Sequence, residues 1–266
     1  MRIIRYSDSS NTVKFASQQA DGSALEIDGD IYGKFSVSNR KADVKKLLAP
    51  IQPTVFFCIG LNYKRHAEEG KNPIPQFPVL FMKNPGAVQN PGDPIVLPRK
   101  LESKQVDYEC ELAVVIGKTC KNATKENALD YVLGYTCGND VSARDWQKDF
   151  GGGQWCRGKT FDTFGPLGPA LVLKDEIPDP QKLEVKASIG EEILQQSNTA
   201  DMIFSVADII ADITKYLTLQ PGTIIATGTP SGVGSARKPQ RWLRHGETIR
   251  IEVQGLGRLE NPIVQE

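Results

Sequence analysis

The sequence predicts a β-rich α+β fold, and three observations carry that prediction. Short runs of β-branched and aromatic residues recur along the chain, as half-buried or buried strands require. Turn-forming residues punctuate them, with 24 glycines and 17 prolines spread over the whole length. Only one long amphipathic helical pattern interrupts the series, which argues against a doubly wound parallel sheet. At 266 residues the chain can bury a substantial core as one large domain with a small appendage.

Residues 1–52 read as that appendage, a small N-terminal β-rich domain. Ile3-Ile4, Val13 to Ala16 and Leu25 to Ile27 are its expected strands, with turns at Asp21-Gly22 and Asp28-Gly29. A short helix is expected from Asp43 to Leu48, closed by Pro50. The body, residues 53–266, opens with the buried strand Val55 to Gly60, and Gly60 turns the chain into Leu61 to Glu69, a segment of helical composition. Pro73, Pro75 and Pro78 break the next stretch before the strand Val79 to Met82 and the turn Asn84-Pro-Gly86. Further strands are predicted at Ile95 to Leu97, Tyr108 to Ile116, Val132 to Thr136, Ala170 to Leu173, Glu184 to Ile189, Thr223 to Ala226 and Thr248 to Val253. In the one clear helix, Ser205 caps and Asp208 follows three residues on. Val206, Ile209, Ile210, Ile213 and Leu217 share a face, and Pro221-Gly222 come after the end.

Lysine plus arginine equals aspartate plus glutamate at 32 each, so the chain has no basic field of the kind that nucleic-acid binding uses. No apolar run approaches the ~20 residues of a membrane span, and Met1-Arg-Ile-Ile-Arg-Tyr-Ser7 lacks the apolar core of a secretory signal. A soluble, cytoplasmic protein is the expectation, with mitochondria as the alternative. Cys58, Cys110, Cys120, Cys137 and Cys156 are an odd set without C-x-x-C spacing and read as free thiols. With only His66 and His245 beside them, no zinc ligand set can be assembled. A metal here is therefore expected to be hard and oxygen-bound, Mg²⁺ or Mn²⁺.

The chemistry concentrates on a few charged residues in apolar surroundings. Glu109 and Glu111 lie two apart in a segment ending Val114-Val-Ile116, where apolar groups on both faces exclude water. Residues i and i+2 of a strand share a face with Cβ atoms roughly 7 Å apart, close enough to converge on one ion. Two buried carboxylates need a cation to stay charged; the ordinary alternative is an edge strand whose glutamates reach water. Asp140 ends the apolar run from Tyr131 to Asn139, so a third acid terminates a second buried strand, although an Asp after Gly-Asn is also a common turn residue. Arg144 and Gln147 follow at helical spacing on the side of Asp140 and could orient a substrate carboxylate, or could form a solvated first turn. Lys159 stands between Trp155 and Phe161, where its ammonium could stabilise a developing enolate, or be a surface lysine.

His66 and Glu69 are three apart on the segment after Gly60; a carboxylate fixes an imidazole tautomer and raises its basicity, though such pairs are common on surfaces. The loop Ala226-Thr-Gly-Thr-Pro-Ser-Gly-Val-Gly234 could bring backbone N–H groups to an anion, or be a tight turn without a ligand. Arg157-Gly-Lys-Thr160 lacks the first glycine of a P-loop and is not a triphosphate site.

Six ordered segments together resemble the fumarylacetoacetate hydrolase family over about residues 55 to 255. They are Gly60-Leu-Asn-Tyr-Lys-Arg-His-Ala-Glu-Glu69, Pro78-Val-Leu-Phe-Met-Lys83, Asp107-Tyr-Glu-Cys-Glu-Leu112, the run from Gly134 to Gln147, Gly158-Lys-Thr-Phe-Asp162, and Thr227-Gly-Thr-Pro-Ser-Gly-Val-Gly234. The resemblance implies a mixed β-sandwich roll in which Glu109, Glu111 and Asp140 hold Mg²⁺ or Mn²⁺. It further implies a His66/Glu69 pair on a mobile lid, substrate contacts from Lys159, Gln147 and Thr229, with Arg144 a weaker match, and a homodimer. The leading functional expectation is a metal-dependent hydrolase that cuts a carbon–carbon bond in acylpyruvate-like 1,3-diketo acids, with His66 activating water and Lys159 stabilising the enolate. Oxaloacetate decarboxylation or keto-enol tautomerisation is the alternative, followed by isomerisation of hydroxymuconate-type acids. All take a small keto acid as substrate. A metal-stabilised binding module is the non-enzymatic alternative.

Overall fold

The computed structural model describes all of residues 1–266. Strands β1 (Arg2–Ser7), β2 (Val13–Gln18), β3 (Ala24–Gly29), β4 (Phe35–Lys41) and β5 (Lys46–Leu48) precede β6 (Phe56–Gly60), helix α1 (Lys64–Glu69) and β7 (Val79–Lys83). The central part contains β8 (Val88–Gln89), β9 (Ile95–Leu97), β10 (Val106–Asp107), β11 (Cys110–Ile116), β12 (Val132–Asn139) and β13 (Ser142–Ala143). Helices α2 (Arg144–Lys148) and α3 (Cys156–Lys159) lead into β14 (Gly165–Leu173), β15 (Glu184–Ile189), β16 (Glu192–Asn198), helix α4 (Val206–Tyr216), β17 (Ile224–Ala226), β18 (Thr248–Val253) and β19 (Gly257–Gln265). The fold is β-rich α+β, as the sequence predicts.

One twelve-stranded mixed sheet runs in the order β4-β3-β2-β1-β14-β12-β11-β17-β6-β7, with β5 on β1 and β8 on β14. A second sheet, β16-β15-β18-β19-β9, accompanies it. Strand β11 shows why a continuous apolar run was needed. Leu112, Val114 and Ile116 join the larger core cluster together with Val185, Ile249 and Ile251 of the second sheet and Ile209, Ile210 and Ile213 of α4. Ala113 and Val115 point the other way, into a separate cluster with Phe56, Leu171 and Ile224. Lying between β12 and β17, β11 is central and not an edge, and Glu111 within it and Glu109 just ahead of it are both buried.

Two expectations are corrected. Asp43 to Leu48 is not helical; Lys46–Leu48 forms β5, paired antiparallel with β1 from Ser7↔Lys46 to Arg5↔Leu48. A helix of under two turns is costly to nucleate, while β1 offers ready ladder hydrogen bonds. The strand predicted from Tyr108 begins at Cys110, leaving Glu109 one residue ahead of it. The N-terminal strands also extend the body's own sheet through pairing of β1 with β14. Strands β4, β16 and β19 went unread: β4 and β16 carry polar residues at most positions, and β19 contains Asn261-Pro262 in its middle, which reads as a turn. Helix α4 is as expected, with a complete capping box between Ser205 and Asp208.

Candidate active site

The ends of four neighbouring strands build the site. β11 and β12 pair antiparallel with Cys110↔Asn139 and Glu111↔Gly138 in register. That register carries Asp140, one residue past β12, up to Glu109, and the Asp140 N–H donates to the Glu109 carbonyl at 2.9 Å. Asn139 adds a second tie by accepting the Glu109 N–H at 3.0 Å. Glu109, Glu111 and Asp140 each offer a carboxylate oxygen within 4.8 Å of the others, all three residues being buried. On the far side of β11, β17 delivers the loop after Ala226, and β6, parallel to β17, delivers Gly60 and α1.

Protein cations surround two of these acids. Lys159 Nζ reaches Glu109 Oε2 at 2.8 Å and Asp140 Oδ2 at 2.7 Å, Lys83 Nζ reaches Asp140 Oδ1 at 2.7 Å, and Arg144 Nη2 reaches Glu109 Oε1 at 2.6 Å. Burial would raise the Glu109 carboxyl, but Lys159 and Arg144 outweigh it and hold it at about 2. Glu111 differs. It is 1 % exposed, its Oε2 accepts the Gly228 N–H at 2.8 Å, and no basic side chain forms an ion pair with it. Burial, then the charges of Asp140 and Glu109, push its carboxyl well above the ordinary value. A carboxylate so placed is stable as an anion only beside a further cation. An all-oxygen set of three acids suits a hard divalent ion such as Mg²⁺ or Mn²⁺, so the residues present fit the metal expected from the sequence.

A cavity of about 470 Å³ opens over this cluster. His66, Glu69, Glu109, Glu111, Arg144, Gln147, Lys159 and Thr229 all line it, whereas Asp140 is not among its lining residues. His66 Nδ1 and Glu69 Oε1 are 2.7 Å apart, and both Glu69 oxygens also accept the Gly232 N–H, at 3.1 and 2.9 Å. The glycine loop therefore binds anions, but they are the protein's own: Gly228 donates to Glu111, Gly232 to Glu69, and Gly234 and Ser235 to Asp107.

Arg144 is committed to protein acceptors. Its Nε, Nη1 and Nη2 donate to Asp107 Oδ2, Gln147 Oε1 and Glu109 Oε1 at 2.8, 3.0 and 2.6 Å. Because Gln147 accepts through its oxygen, its amide nitrogen is left for the cavity. The Thr229 hydroxyl donates to the Cys110 carbonyl and accepts from Gln195.

Two residues of this network were missed from the sequence. Asp107 is fully buried and joins Arg144 to the glycine loop; it shares the alternation of Glu109 and Glu111, a signal that could have found it. Lys83 is equally buried, its ammonium donating to the Val141 and Lys159 carbonyls, and it closes an apolar run in the sequence as Asp140 does. Burial lowers the Lys83 ammonium despite Asp140 beside it.

The chain is similar to known proteins over most of its length. The family model described as Fumarylacetoacetate (FAA) hydrolase C-terminal matches residues 55–264. A mitochondrial oxaloacetate tautomerase of Xenopus laevis is 46% identical over 247 residues, 92% of this chain and 74% of the relative. The crystal structure of 2-hydroxyhepta-2,4-diene-1,7-dioate isomerase from Mycobacterium marinum superposes with a TM-score of 0.85 at 36% identity, covering 100% of this chain and 99% of the other. Fumarylacetoacetate hydrolase from Exiguobacterium antarcticum gives 0.88 at 33% identity, covering 100% of both chains.

The cytoplasmic expectation is overturned by the relatives: the frog protein and its rat, bovine and human counterparts are mitochondrial. Composition and charge report how a surface meets water, not which compartment holds it. The carbon–carbon hydrolase expected first also gives way in rank to the tautomerase and isomerase alternatives, since those are the activities named for the frog and Mycobacterium marinum proteins. With the family model matching most of the chain and one relative nearly half identical along almost all of it, the chain belongs to the fumarylacetoacetate hydrolase family.

Proposed function

We propose that this protein is a divalent-metal-dependent tautomerase of small 2-keto dicarboxylic acids, with oxaloacetate the substrate to test first. The observation that carries the proposal is Glu111, a buried carboxylate with no protein cation, beside Glu109 and Asp140 beneath a cavity that also holds an imidazole–carboxylate pair. The activity named for the frog relative supports the choice of substrate. Glu109, Glu111 and Asp140 would hold Mg²⁺ or Mn²⁺, which when bound would draw in keto-acid oxygens and stabilise negative charge on them. With all four acids ionised, Asp107, Glu109, Glu111 and Asp140 exceed Lys83, Arg144 and Lys159 by one negative charge; a divalent ion, which would keep Glu111 ionised, turns this into one positive charge, suited to an anionic substrate.

Conversion of enol to keto adds a proton at C3 and removes one from the C2 hydroxyl. His66, held in one orientation by Glu69, is the group to deliver the proton to C3; the proton leaving the C2 hydroxyl passes through solvent in the cavity and restores the imidazolium, and the reverse direction runs the same transfers backwards. Lys159 and the free amide of Gln147 are donors for the oxygens where charge gathers, and Thr229 shapes the cavity wall. Arg144 positions Glu109 and Gln147. We also expect a homodimer, which sedimentation equilibrium tests.

The test is loss of the ultraviolet enol band when enol-oxaloacetate meets protein and Mg²⁺. Acceleration abolished by a chelator, and reduced by orders of magnitude in His66→Ala, is expected; full activity in His66→Ala overturns the role of the pair. The second reading, hydrolysis of acylpyruvates, is favoured by the same pair, which could activate water. Release of pyruvate from an acylpyruvate, without enol-oxaloacetate turnover, would select it.

A further inference from the structure

All four oxygens of Glu109 and Asp140 carry a protein cation: Arg144 and Lys159 on the first, Lys83 and Lys159 on the second. A divalent ion entering between these acids must share oxygens with those cations or displace one. The three are not equally fixed. Lys83 is 0 % exposed, with its ammonium also held by the carbonyls of Val141 and Lys159. Arg144 is held by Asp107 and Gln147 as well as by Glu109. The Lys159 ammonium has no hydrogen-bond partner other than Glu109 and Asp140, faces the cavity and lies 5.0 Å from the centre of the Phe81 ring. Its backbone is nevertheless anchored, because the Lys159 carbonyl is one of the acceptors of Lys83.

The geometry points to Lys159 as a resident competitor of the metal: its ammonium bridges two of the three metal carboxylates and leaves them when a divalent ion arrives. Metal loading and release of the ammonium toward substrate are then one event. The protein limits its own metal affinity and avoids leaving two buried carboxylates without a cation in the metal-free state. The Phe81 ring face provides an attractive surface for an ammonium that keeps its charge while changing partners. This rests on the proposed metal site and adds to it that one of its basic residues opposes binding.

The test is Mn²⁺ affinity, measured by calorimetry and by electron paramagnetic resonance of free Mn²⁺, on chelator-stripped full-length protein. Lys159→Met removes the charge and keeps the volume, and it is expected to bind Mn²⁺ about tenfold more tightly than wild type, since a competing cation is gone. Lys159→Arg restores the charge and is expected to return affinity to the wild-type value or below. Equal or weaker binding by folded Lys159→Met overturns the inference alone, because a lysine that merely supports the carboxylates would produce that sign. Absence of Mn²⁺ binding by wild type overturns the inference and the metal site together. Should Lys159→Met not fold, a crystal structure of the Mg²⁺-loaded wild type decides: the ammonium away from both carboxylates supports the inference, and retention of both contacts overturns it.

Discussion

At the scale of single residues, the legible signal was charge inside apolar sequence. Glu109, Glu111 and Asp140 stood out because each interrupts or ends a run that has no other reason to be polar, and the structure places them together. Lys83 and Asp107 carry the same signal and were passed over, since a lysine after Met82 and an aspartate before Tyr108 also read as ordinary strand ends. Which partner each would find depends on register, and register was not visible. Glu111 gives the sharpest residue-scale prediction. A carboxyl whose folded-state value is raised destabilises the folded protein as pH rises above the ordinary carboxylate value, until the folded value is reached. Glu111→Gln is therefore expected to raise the melting temperature of metal-stripped protein, on the order of 3 °C at pH 8 and less at pH 5. The same variant should lose the stabilisation that Mn²⁺ gives wild type. Scanning calorimetry at both pH values, with and without Mn²⁺, checks this; a lower melting temperature for the stripped variant would show that Glu111 is not a strained anion.

At the scale of elements, what was legible was local and what was not was pairing. Helix α4 announces itself through its cap and its apolar face, and Val206, Ile209, Ile210 and Ile213 are buried as that face requires. Ser205→Ala removes the hydroxyl that accepts the Asp208 N–H, which costs about 1 kcal/mol and should lower the melting temperature by about 3 °C with activity unchanged. Lys46–Leu48, by contrast, became a strand only because β1 was available to pair with it. The approach of α3 to α2 is another non-local fact. A Cβ on Gly158 would lie 2.5 Å from the Gln147 nitrogen and 2.6 Å from the Ala143 carbonyl oxygen, backbone atoms that cannot yield cheaply. Gly158→Ala should therefore shift α3, and Lys159 with it, lowering turnover by about a hundredfold or more while Mn²⁺ still binds. Wild-type turnover in that variant would mean that the position of α3 is not set by this contact.

At the scale of the whole molecule, the change in sequence character near residue 52 does not coincide with a break in the sheet, which runs on from β1 to β14. Ile3 pairs with Leu171 across the β1–β14 ladder. Ile3, Ile31, Ala49 and Ile51 enter the same buried cluster as Phe56, Val115, Leu171 and Ile224. Such a ladder between distant parts of the chain leaves no local pattern, so the sequence could show the strands without showing their neighbour. Removing residues 1–52 would strip one face of the central sheet and leave β14 with an open, apolar edge, a template for aggregation. The full chain is accordingly expected to unfold in one transition, with far-ultraviolet and near-ultraviolet circular dichroism melting together. Residues 53–266 expressed alone should be insoluble or should lack near-ultraviolet structure. Two separated transitions in the full chain, or a truncated protein that folds and binds Mn²⁺ as wild type does, would make the N-terminal strands an independent unit and the shared cluster incidental to the site.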